Sequence, residues 1–294
     1  MEFLGMPLQA WLGQIVLGLI NGSFYAILSL GLTLIFGLLN IVNFAHGAVF
    51  MVGAFGTWMA MSWFGIGYGP ALVLVPLVVG ALGSLAERFL IRRIQGMDHL
   101  YGLLLTFGMA LIIEGVFVAE YGVSGQPYPT PPAFSGAVDM GFMMVPKYRI
   151  WVVFASLTVC ALAWLAIEKT RLGSMLRAAT ENAKLVQAFG VNVPLMMTLT
   201  YGAGTALAAF AGVLAAPVTQ VSPLMGSNLI IVVFAVVVIG GMGSIAGSVA
   251  TGVGLGVIEG ITKVVYPQGS SMVIFVVMAI VLLVRPAGLF GKET

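Results

Sequence analysis

The sequence predicts an all-α integral membrane protein with eight or nine transmembrane helices, some of them broken or re-entrant. Of its 294 residues, 60% are hydrophobic and only 7% are charged, and the mean hydropathy is +1.10. A soluble domain carries roughly 25% charged residues, so this chain cannot cover its surface against water. Its apolar runs are far longer than the ~10-residue alternating segments of a transmembrane β-barrel. We therefore expect residues 1–294 to form a single transmembrane domain.

Nine apolar runs are candidate membrane spans, because a helix needs ~20 mainly apolar residues to cross the hydrocarbon. The first run is unusually long and contains a possible break at Asn21–Gly22. It is expected to remain as a span, since no basic segment or A-x-A-like cleavage site marks a signal peptide. The predicted spans are 10–38, 48–64, 70–86, 101–119, 150–167, 195–216, 229–246, 249–265 and 271–285.

The distribution of Lys and Arg predicts the orientation, because cytoplasmic loops of membrane proteins are enriched in these residues. Nine of the basic residues fall on one side of the predicted spans and three on the other. The nine are Arg88, Arg92, Arg93, Lys169, Arg171, Arg177, Lys184, Arg285 and Lys292, and the three are Lys147, Arg149 and Lys263. The majority side is predicted to be cytoplasmic, with the C-terminus inside and, after nine crossings, the N-terminus outside. Segment 121–148 is then an external lid or docking loop, since its prolines and glycines preclude a membrane helix.

The cytoplasmic segment 168–194 is predicted to form a short helix that docks into a partner protein. Glu181 and Lys184 have the i,i+3 spacing of a helical pair, and Gly190 followed by Pro194 ends the helix. Small and apolar side chains are expected on one face, at Ala178, Ala179, Ala183, Ala188 and Phe189. Such a face fits a groove on a partner. The alternative is an interfacial helix that lies on lipid headgroups.

Two interruptions of the apolar pattern indicate a transport function. The polar stretch "NIVNFAHGA" places Asn40, Asn43 and His46 at the edge of the membrane, where unsatisfied polar groups are costly. The glycine cluster 240–247 is expected to break a span and to free backbone groups that a cavity or a neighbour must satisfy. A pair of interrupted membrane segments is typical of the substrate region of transporters. Glycines that recur at 252, 256 and 260, and the series Gly204, Ala208, Gly212, Ala216, instead predict close helix packing.

Ionisable groups within the spans offer further candidates. Glu114 is either a functional carboxylate or a buried acid bonded to a neighbouring helix, and the sequence leaves both open. Glu259 has Lys263 at i+4, which favours a structural pair near the external end. The two histidines are too far apart for a metal site, and the single cysteine, Cys160, precludes a disulfide within the chain. No phosphate-binding loop or catalytic motif is present, so we predict no ATP hydrolysis, no metal, no catalytic residue and no enzymatic activity in this chain.

Three stretches resemble bacterial branched-chain amino acid ABC importer permeases of the LivH type. They are "NGSFYAILSLGLTLIFGLLNIVNFAHGAVFMVGAF" (21–55), "RLGSMLRAATENAKLVQAFGVNV" (171–193) and "VVVIGGMGSIAGSVATGVGLGVIE" (236–259). The resemblance implies a permease of the bacterial inner membrane that pairs with a second, related permease. It also implies two cytoplasmic ATPase subunits, which bind ATP and Mg²⁺, and a periplasmic solute-binding protein. Segment 168–194 would then be the coupling helix that fits the ATPase.

The predicted site residues follow from these arguments. The substrate-pathway candidates are Asn21, Asn40, Asn43, His46, Glu114, Gly240, Gly241 and Gly243. The ATPase-coupling candidates are Arg177, Ala178, Ala179, Glu181, Ala183, Lys184, Ala188, Phe189 and Gly190. Two alternatives remain at this stage. One is a permease of the same family for urea, amides or small aromatic acids, and the other is an ion-coupled carrier or channel that uses Glu114.

Overall fold

The protein is a bundle of helices, described here from a computed structural model of residues 2–3, 6–39 and 41–291. Asn40 and Lys292 lie outside these described residues. The helices are α1 (Leu8–Leu39), α2 (Ala45–Phe64), α3 (Tyr68–Ile94), α4 (His99–Tyr121), α5 (Lys147–Glu168), α6 (Arg171–Ala188), α7 (Val193–Ala215), α8 (Ser227–Gly240), α9 (Ile245–Val265) and α10 (Val273–Val284).

Seven of these helices, within the described residues, are long and apolar enough to cross a membrane, and α8 and α10 are apolar but shorter. The predicted spans therefore correspond to nine apolar helices. The predicted break at Asn21–Gly22 is wrong, because α1 runs without interruption through both residues. Gly22 serves a close helix contact instead: a Cβ there would lie 2.9 Å from the carbonyl oxygen of Val253 in α9.

Glycine stripes hold the centre of the bundle together, as the sequence predicts. A Cβ at Gly256 would collide with the backbone of Gly18 and Gly22 in α1, and one at Gly252 would lie 2.6 Å from the Ala26 nitrogen. On α7, Gly204 lies in the same way against α1, and Gly212 against α2. Helices can approach this closely only where side chains are absent, so these positions define the packing of α1, α2, α7 and α9.

The basic segments lie at one end of the bundle. Leu38 at the end of α1 packs with Ala179 of α6 and Val193 of α7. Leu39 and Ile41 pack with Ile91 near the end of α3. This end, which we call the α6 end, therefore carries both the α3 terminus and α6. Residues 87–94 are helical there and not a loop, since α3 continues through a π-helical turn at Glu87–Ile91 to Ile94.

The opposite end carries segment 122–146, which contains no membrane helix, as its prolines and glycines predict. It forms a short hairpin of β3 (Ala137–Asp139) and β4 (Met144–Pro146), preceded by a 3₁₀ turn at Pro132–Phe134; two further short strands, β1 (Glu2–Phe3) and β2 (Met6–Pro7), precede α1. Phe134 stacks on Trp151 of α5 with 4.8 Å between the ring centroids. Gln126 exchanges two backbone hydrogen bonds with Val221, which ties this segment to the connection between α7 and α8.

Candidate functional site

The polar break between α1 and α2 is shorter than the sequence predicts. Residues 41–44 are non-helical, whereas His46 and Gly47 belong to the first turn of α2. Asn40 falls outside the described residues. The chain therefore has only a few residues between two helices, and their backbone groups need partners from elsewhere in the bundle.

The Asn43 side chain supplies one of these partners and also links the break to α7. Its side-chain oxygen accepts a hydrogen bond from the Ala45 nitrogen at 3.1 Å, at the start of α2. Its side-chain nitrogen donates to the Tyr201 hydroxyl of α7 at 3.0 Å. Asn43 is buried, and its amide both satisfies a free N–H group at the helix terminus and links the break to another helix.

Thr106 of α4 supplies hydrogen-bond partners for two more backbone groups of the break. Its hydroxyl donates to the Val42 carbonyl oxygen at 3.1 Å and accepts from the Phe44 nitrogen at 3.2 Å. The Phe44 ring then contacts Phe107 of α4 and Phe234 of α8, each with 6.2 Å between the centroids. The break is thus held between three helices, and Thr106 and Tyr201 are functional candidates that sequence reasoning missed. Single hydroxyls inside apolar runs gave no signal that they would meet the break.

His46 connects the start of α2 to the middle of α1. Its Nε2 lies 3.0 Å from the Leu28 carbonyl oxygen. A carbonyl can only accept, so Nε2 carries a proton and donates to it. The imidazole fills the space above Gly31, where a Cβ would lie 3.0 Å from the His46 Cε1 atom. This geometry supports the hydrogen-bonding, structural interpretation of His46.

The break lies deeper than the membrane edge at which the sequence places it. Its partners Thr106, Tyr201 and Leu28 lie seven, eight and eleven residues from the α6 ends of their helices. At a helical rise of 1.5 Å per residue this corresponds to about 10–17 Å. Non-helical backbone at such depth is tolerated only where protein or a water-filled cavity surrounds it. The segment before α2 therefore returns into the bundle, and the side chains named above surround it.

We expect Asn43→Ala to destabilise the protein more than Tyr201→Phe does. The alanine variant removes the bond at the start of α2 and leaves the Tyr201 hydroxyl buried without a partner, at a cost of about 2 kcal/mol. Tyr201→Phe keeps the bond at the start of α2 and leaves only the Asn43 side-chain nitrogen without its partner, at a cost of roughly 1 kcal/mol. Tyr101→Phe, at an exposed tyrosine of α4, is the control. Thermal unfolding of the purified variants measures the order, and equal midpoints for all three would contradict this network.

The glycine cluster forms the second break, as predicted, although the predicted span 229–246 ends earlier. α8 ends at Gly240 and α9 begins at Ile245, with Gly241 and Gly243 at φ values of 97° and 88°. The freed carbonyl groups of Ile239 and Gly240 accept hydrogen bonds from the nitrogens of Leu289 and Phe290, at 2.8 and 3.2 Å. A neighbouring segment near the C-terminus, not a cavity, therefore satisfies this turn.

The structure does not gather all pathway candidates into one site. Gly243 lies against Gly37 of α1. Gly37 is about one and a half helical turns away from Gly31, the residue that His46 packs against. Asn21 is partly exposed and lies seven residues before Leu28, the His46 partner, and so farther from the α6 end of α1. Glu114 is partly exposed on α4, a helix whose surface is mostly outside the bundle. Only Asn43 and His46 share a described network, and the role of every candidate as a substrate contact stays a prediction.

The predicted coupling segment is helical, but it contains a kink. Within α6, Asn182 has non-helical backbone angles (φ −150°, ψ 89°), and its side chain caps the second half by accepting from the Leu185 nitrogen at 3.0 Å. The kink separates Glu181 from Lys184, and the ion pairs of the described residues do not include them. Gly190, with φ 85°, ends the segment as predicted.

The single apolar face predicted for α6 is wrong. Ala179 is buried and Ala183 partly buried, and both pack against Leu38 and Val193 inside the protein. The outer surface instead presents Ala178, Ala188, Leu185 and Phe189, and Phe189 is 80% exposed. Arg177 pairs with Glu168 at 3.3 Å. Exposed residues lie on both sides of the kink, and the large apolar ones after it are Leu185 and Phe189.

A buried ion pair at the α6 end was also missed. Glu87 is fully buried, and its oxygens lie 3.1 and 2.8 Å from Nε and an Nη atom of Arg92. Thr198 of α7 donates to Glu87 at 2.7 Å, and Arg92 also donates to the Pro194 carbonyl at 2.8 Å. The π-helical turn brings residues five apart into contact, a spacing that α-helical i,i+4 reasoning does not consider. This pair fastens α3 to the start of α7, directly after α6.

Near the opposite end, the predicted pair of Glu259 and Lys263 is confirmed at 2.6 Å. The Tyr25 hydroxyl of α1 donates to the other oxygen of Glu259 at 2.8 Å. The pair therefore reinforces the contact between α1 and α9 at the end opposite α6.

Comparison with known proteins decides the family. Residues 14–282 match the family model described as "Branched-chain amino acid transport system / permease component". The chain belongs to this permease family. The branched-chain amino acid permease BraD of Pseudomonas aeruginosa is 31% identical, with 96% of each chain covered. LivH of Escherichia coli K12 is 30% identical, again with 96% of each covered. LivM of Salmonella typhimurium is 27% identical over 75% of this chain and 57% of its own.

Membership confirms the resemblance seen in the sequence and the multi-pass, all-α architecture of a transport permease. The family is one of transport components, not of enzymes. LivH and LivM are both named as permease proteins of a high-affinity branched-chain amino acid transport system, and both align with this chain. LivH aligns over nearly the whole length of the chain, and LivM over part of it.

Proposed function

We propose that this chain is the membrane-spanning permease subunit of an ATP-driven importer for branched-chain or related hydrophobic amino acids. The observation that carries the proposal is the family match across nearly all of the helical bundle, together with high-coverage relatives named for branched-chain amino acid transport. In this proposal a periplasmic binding protein delivers the substrate at the end that carries segment 122–146. The α6 end faces the cytoplasm of a bacterial inner membrane, in agreement with its excess of Lys and Arg.

The partners follow from the chemistry that this chain lacks. Its sequence carries no phosphate-binding loop, so ATP and Mg²⁺ are bound by two separate cytoplasmic ATPase subunits. A second, related permease completes the pathway, in keeping with the partial similarity to LivM. The buried break around Asn43 and His46 supports a pathway close to α2, because interrupted membrane segments are typical of the substrate region of transporters.

The outer surface of α6 is the proposed contact with the ATPase. After the kink it presents Leu185, Ala188 and Phe189 to solvent, and apolar side chains exposed outside the spans are typical of a docking surface. The Glu87–Arg92 pair joins the following helix α7 to α3, so a displacement of α6 would be passed into the membrane part of the bundle.

We expect Ala188→Trp to reduce ATP-driven uptake at least tenfold and to lower the amount of ATPase that co-purifies. The indole would occupy space that the partner needs, whereas Ala188 is exposed on the surface of this chain. Ala161→Trp, at an exposed position of α5, is the matched control. Uptake and ATPase content are measured on the same preparations, and unchanged values for Ala188→Trp would argue against docking at this surface.

The substrate is tested by reconstituting the complete complex in proteoliposomes with its binding protein and ATP. Uptake of labelled leucine should be saturable and should be inhibited by excess valine and isoleucine. Urea, acetamide and benzoate serve as competitors for the alternative substrates of related systems. Inhibition by one of these, without inhibition by valine, would overturn the amino acid assignment and leave the permease assignment intact.

A further inference from the structure

An apolar groove of about 500 Å³ runs along the side of the bundle between α5 and α7. Its walls include Ala163 and Ala166 of α5 and Leu199, Ala203 and Phe210 of α7, and Leu172 of α6 closes one end. Thr200 is the one side chain with a hydroxyl group among the lining residues. Ala166, Leu199 and Ala203 are exposed, so the groove opens laterally from the bundle and not into an enclosed core.

The groove has the depth of one lipid leaflet. On α5 its lining extends from Ile167 back to Val159, and on α7 from Met196 to Phe210. The helical rise converts these intervals to about 12 and 21 Å. Half of the hydrocarbon thickness of a bilayer is about 15 Å. The groove therefore spans the leaflet at the α6 end, from the helix termini to about the midplane.

Two exposed basic residues, which join no ion pair among the described residues, lie at the mouth of the groove. Lys169 and Arg171, both exposed, flank the short link between α5 and α6, next to the lining residues Ile167 and Leu172. The ion pairs found in the described part of the chain include neither of them, whereas the neighbouring Arg177 and Glu168 pair with each other. Lys169 Nζ lies 5.9 Å from the ring centroid of Trp164, a residue type enriched at membrane interfaces.

We propose that this groove binds an acyl chain of an anionic phospholipid, whose phosphate is held by Lys169 and Arg171. The length of the groove, close to that of one leaflet, and its apolar lining fit a lipid chain. The charge favours an anionic headgroup, because each basic residue near the surface attracts anionic lipid. A lipid bound here would touch α5, α6 and α7 together and so stabilise the base of the proposed coupling segment.

The test is native mass spectrometry of the complete complex, purified in mild detergent and supplied with dioleoyl-phosphatidylglycerol or dioleoyl-phosphatidylcholine. Ala203→Phe places a ring in the groove at an exposed position, and Ala161→Phe places the same ring on the opposite face of α5. Lys169→Gln with Arg171→Gln removes the charge at the mouth. Lys147→Gln is the matched charge control at the other end of the bundle.

The unsubstituted complex should retain phosphatidylglycerol in preference to phosphatidylcholine. The ratio of retained phosphatidylglycerol to retained phosphatidylcholine should fall roughly fivefold for each charge removed from the mouth of the groove. Lys147→Gln should leave this ratio unchanged. Ala203→Phe should retain fewer lipids than Ala161→Phe. Equal retention of both lipids by the unsubstituted complex, or equal retention by the two phenylalanine variants, would overturn the proposal. Neither result bears on the transport assignment, which the uptake assay tests separately.

Discussion

Replacing Gly256 with valine should prevent the chain from reaching its native fold. A Cβ at Gly256 would overlap backbone atoms of Gly18 and Gly22, so no side-chain rearrangement can relieve the contact. α1 and α9 would have to separate, and the seam that also contains Gly252 and Gly260 would open. The cost should reach or exceed the roughly 3 kcal/mol that marks the upper range for overpacked cores. The expected observation is loss of monodisperse protein from detergent-solubilised membranes in size-exclusion chromatography.

Gly254→Val provides a closely matched control, because Gly254 lies two residues away on α9 and a Cβ there meets nothing within 4 Å. Both variants carry the same β-branched side chain in the same helix, so any difference reports packing and not helix propensity. Gly254→Val should yield native amounts of protein. Equal yields for both variants would show that α1 and α9 are not packed as described.

Replacing Arg92 with alanine should destabilise the protein by about 3 kcal/mol. Glu87 would keep its fully buried carboxylate but lose the cation that lies 2.8 Å away. An uncompensated buried charge costs about 3–5 kcal/mol, and we expect the lower value because the Arg92 side chain is 31% exposed and water can enter. The thermal unfolding midpoint of the purified complex should fall by several degrees.

Two further variants separate the buried charge from a general loss of positive charge. Arg93→Ala removes a neighbouring arginine that is exposed, and it should leave the midpoint within error of the unsubstituted protein. Glu87→Gln added to Arg92→Ala removes the stranded charge, and it should recover part of the loss. A double variant that is less stable than Arg92→Ala alone would contradict the electrostatic explanation.

The sequence predicts the membrane architecture well because burial in lipid imposes long apolar runs, and these are visible without a structure. The break at 240–247 and the contacts of Gly252, Gly256 and Gly260 were predictable for a related reason. Glycine clusters in a membrane segment have few uses besides turns and close helix contacts. The same rule fails at Gly22, where the sequence does not distinguish a glycine that faces α9 from one that breaks α1.

The candidate site was predictable only in part. The polar stretch around Asn43 and His46 stood out, but its depth did not, because depth depends on partners distant in sequence: Leu28, Thr106 and Tyr201. The face of α6 was predicted from a continuous helix, and the kink at Asn182 changes which alanines point outward. Glu87 and Arg92 escaped notice because their five-residue spacing makes a pair only in a π-helical turn.

Purification of the tagged chain from its native membranes, followed by mass spectrometry of what accompanies it, tests the central claim most directly. The claim is that this permease forms a pathway but takes its energy from partner subunits. It predicts a stoichiometric ATPase and a second permease in the purified complex, and no uptake by the chain alone in liposomes. A chain that purifies alone and still accumulates solute in liposomes without ATP would contradict it.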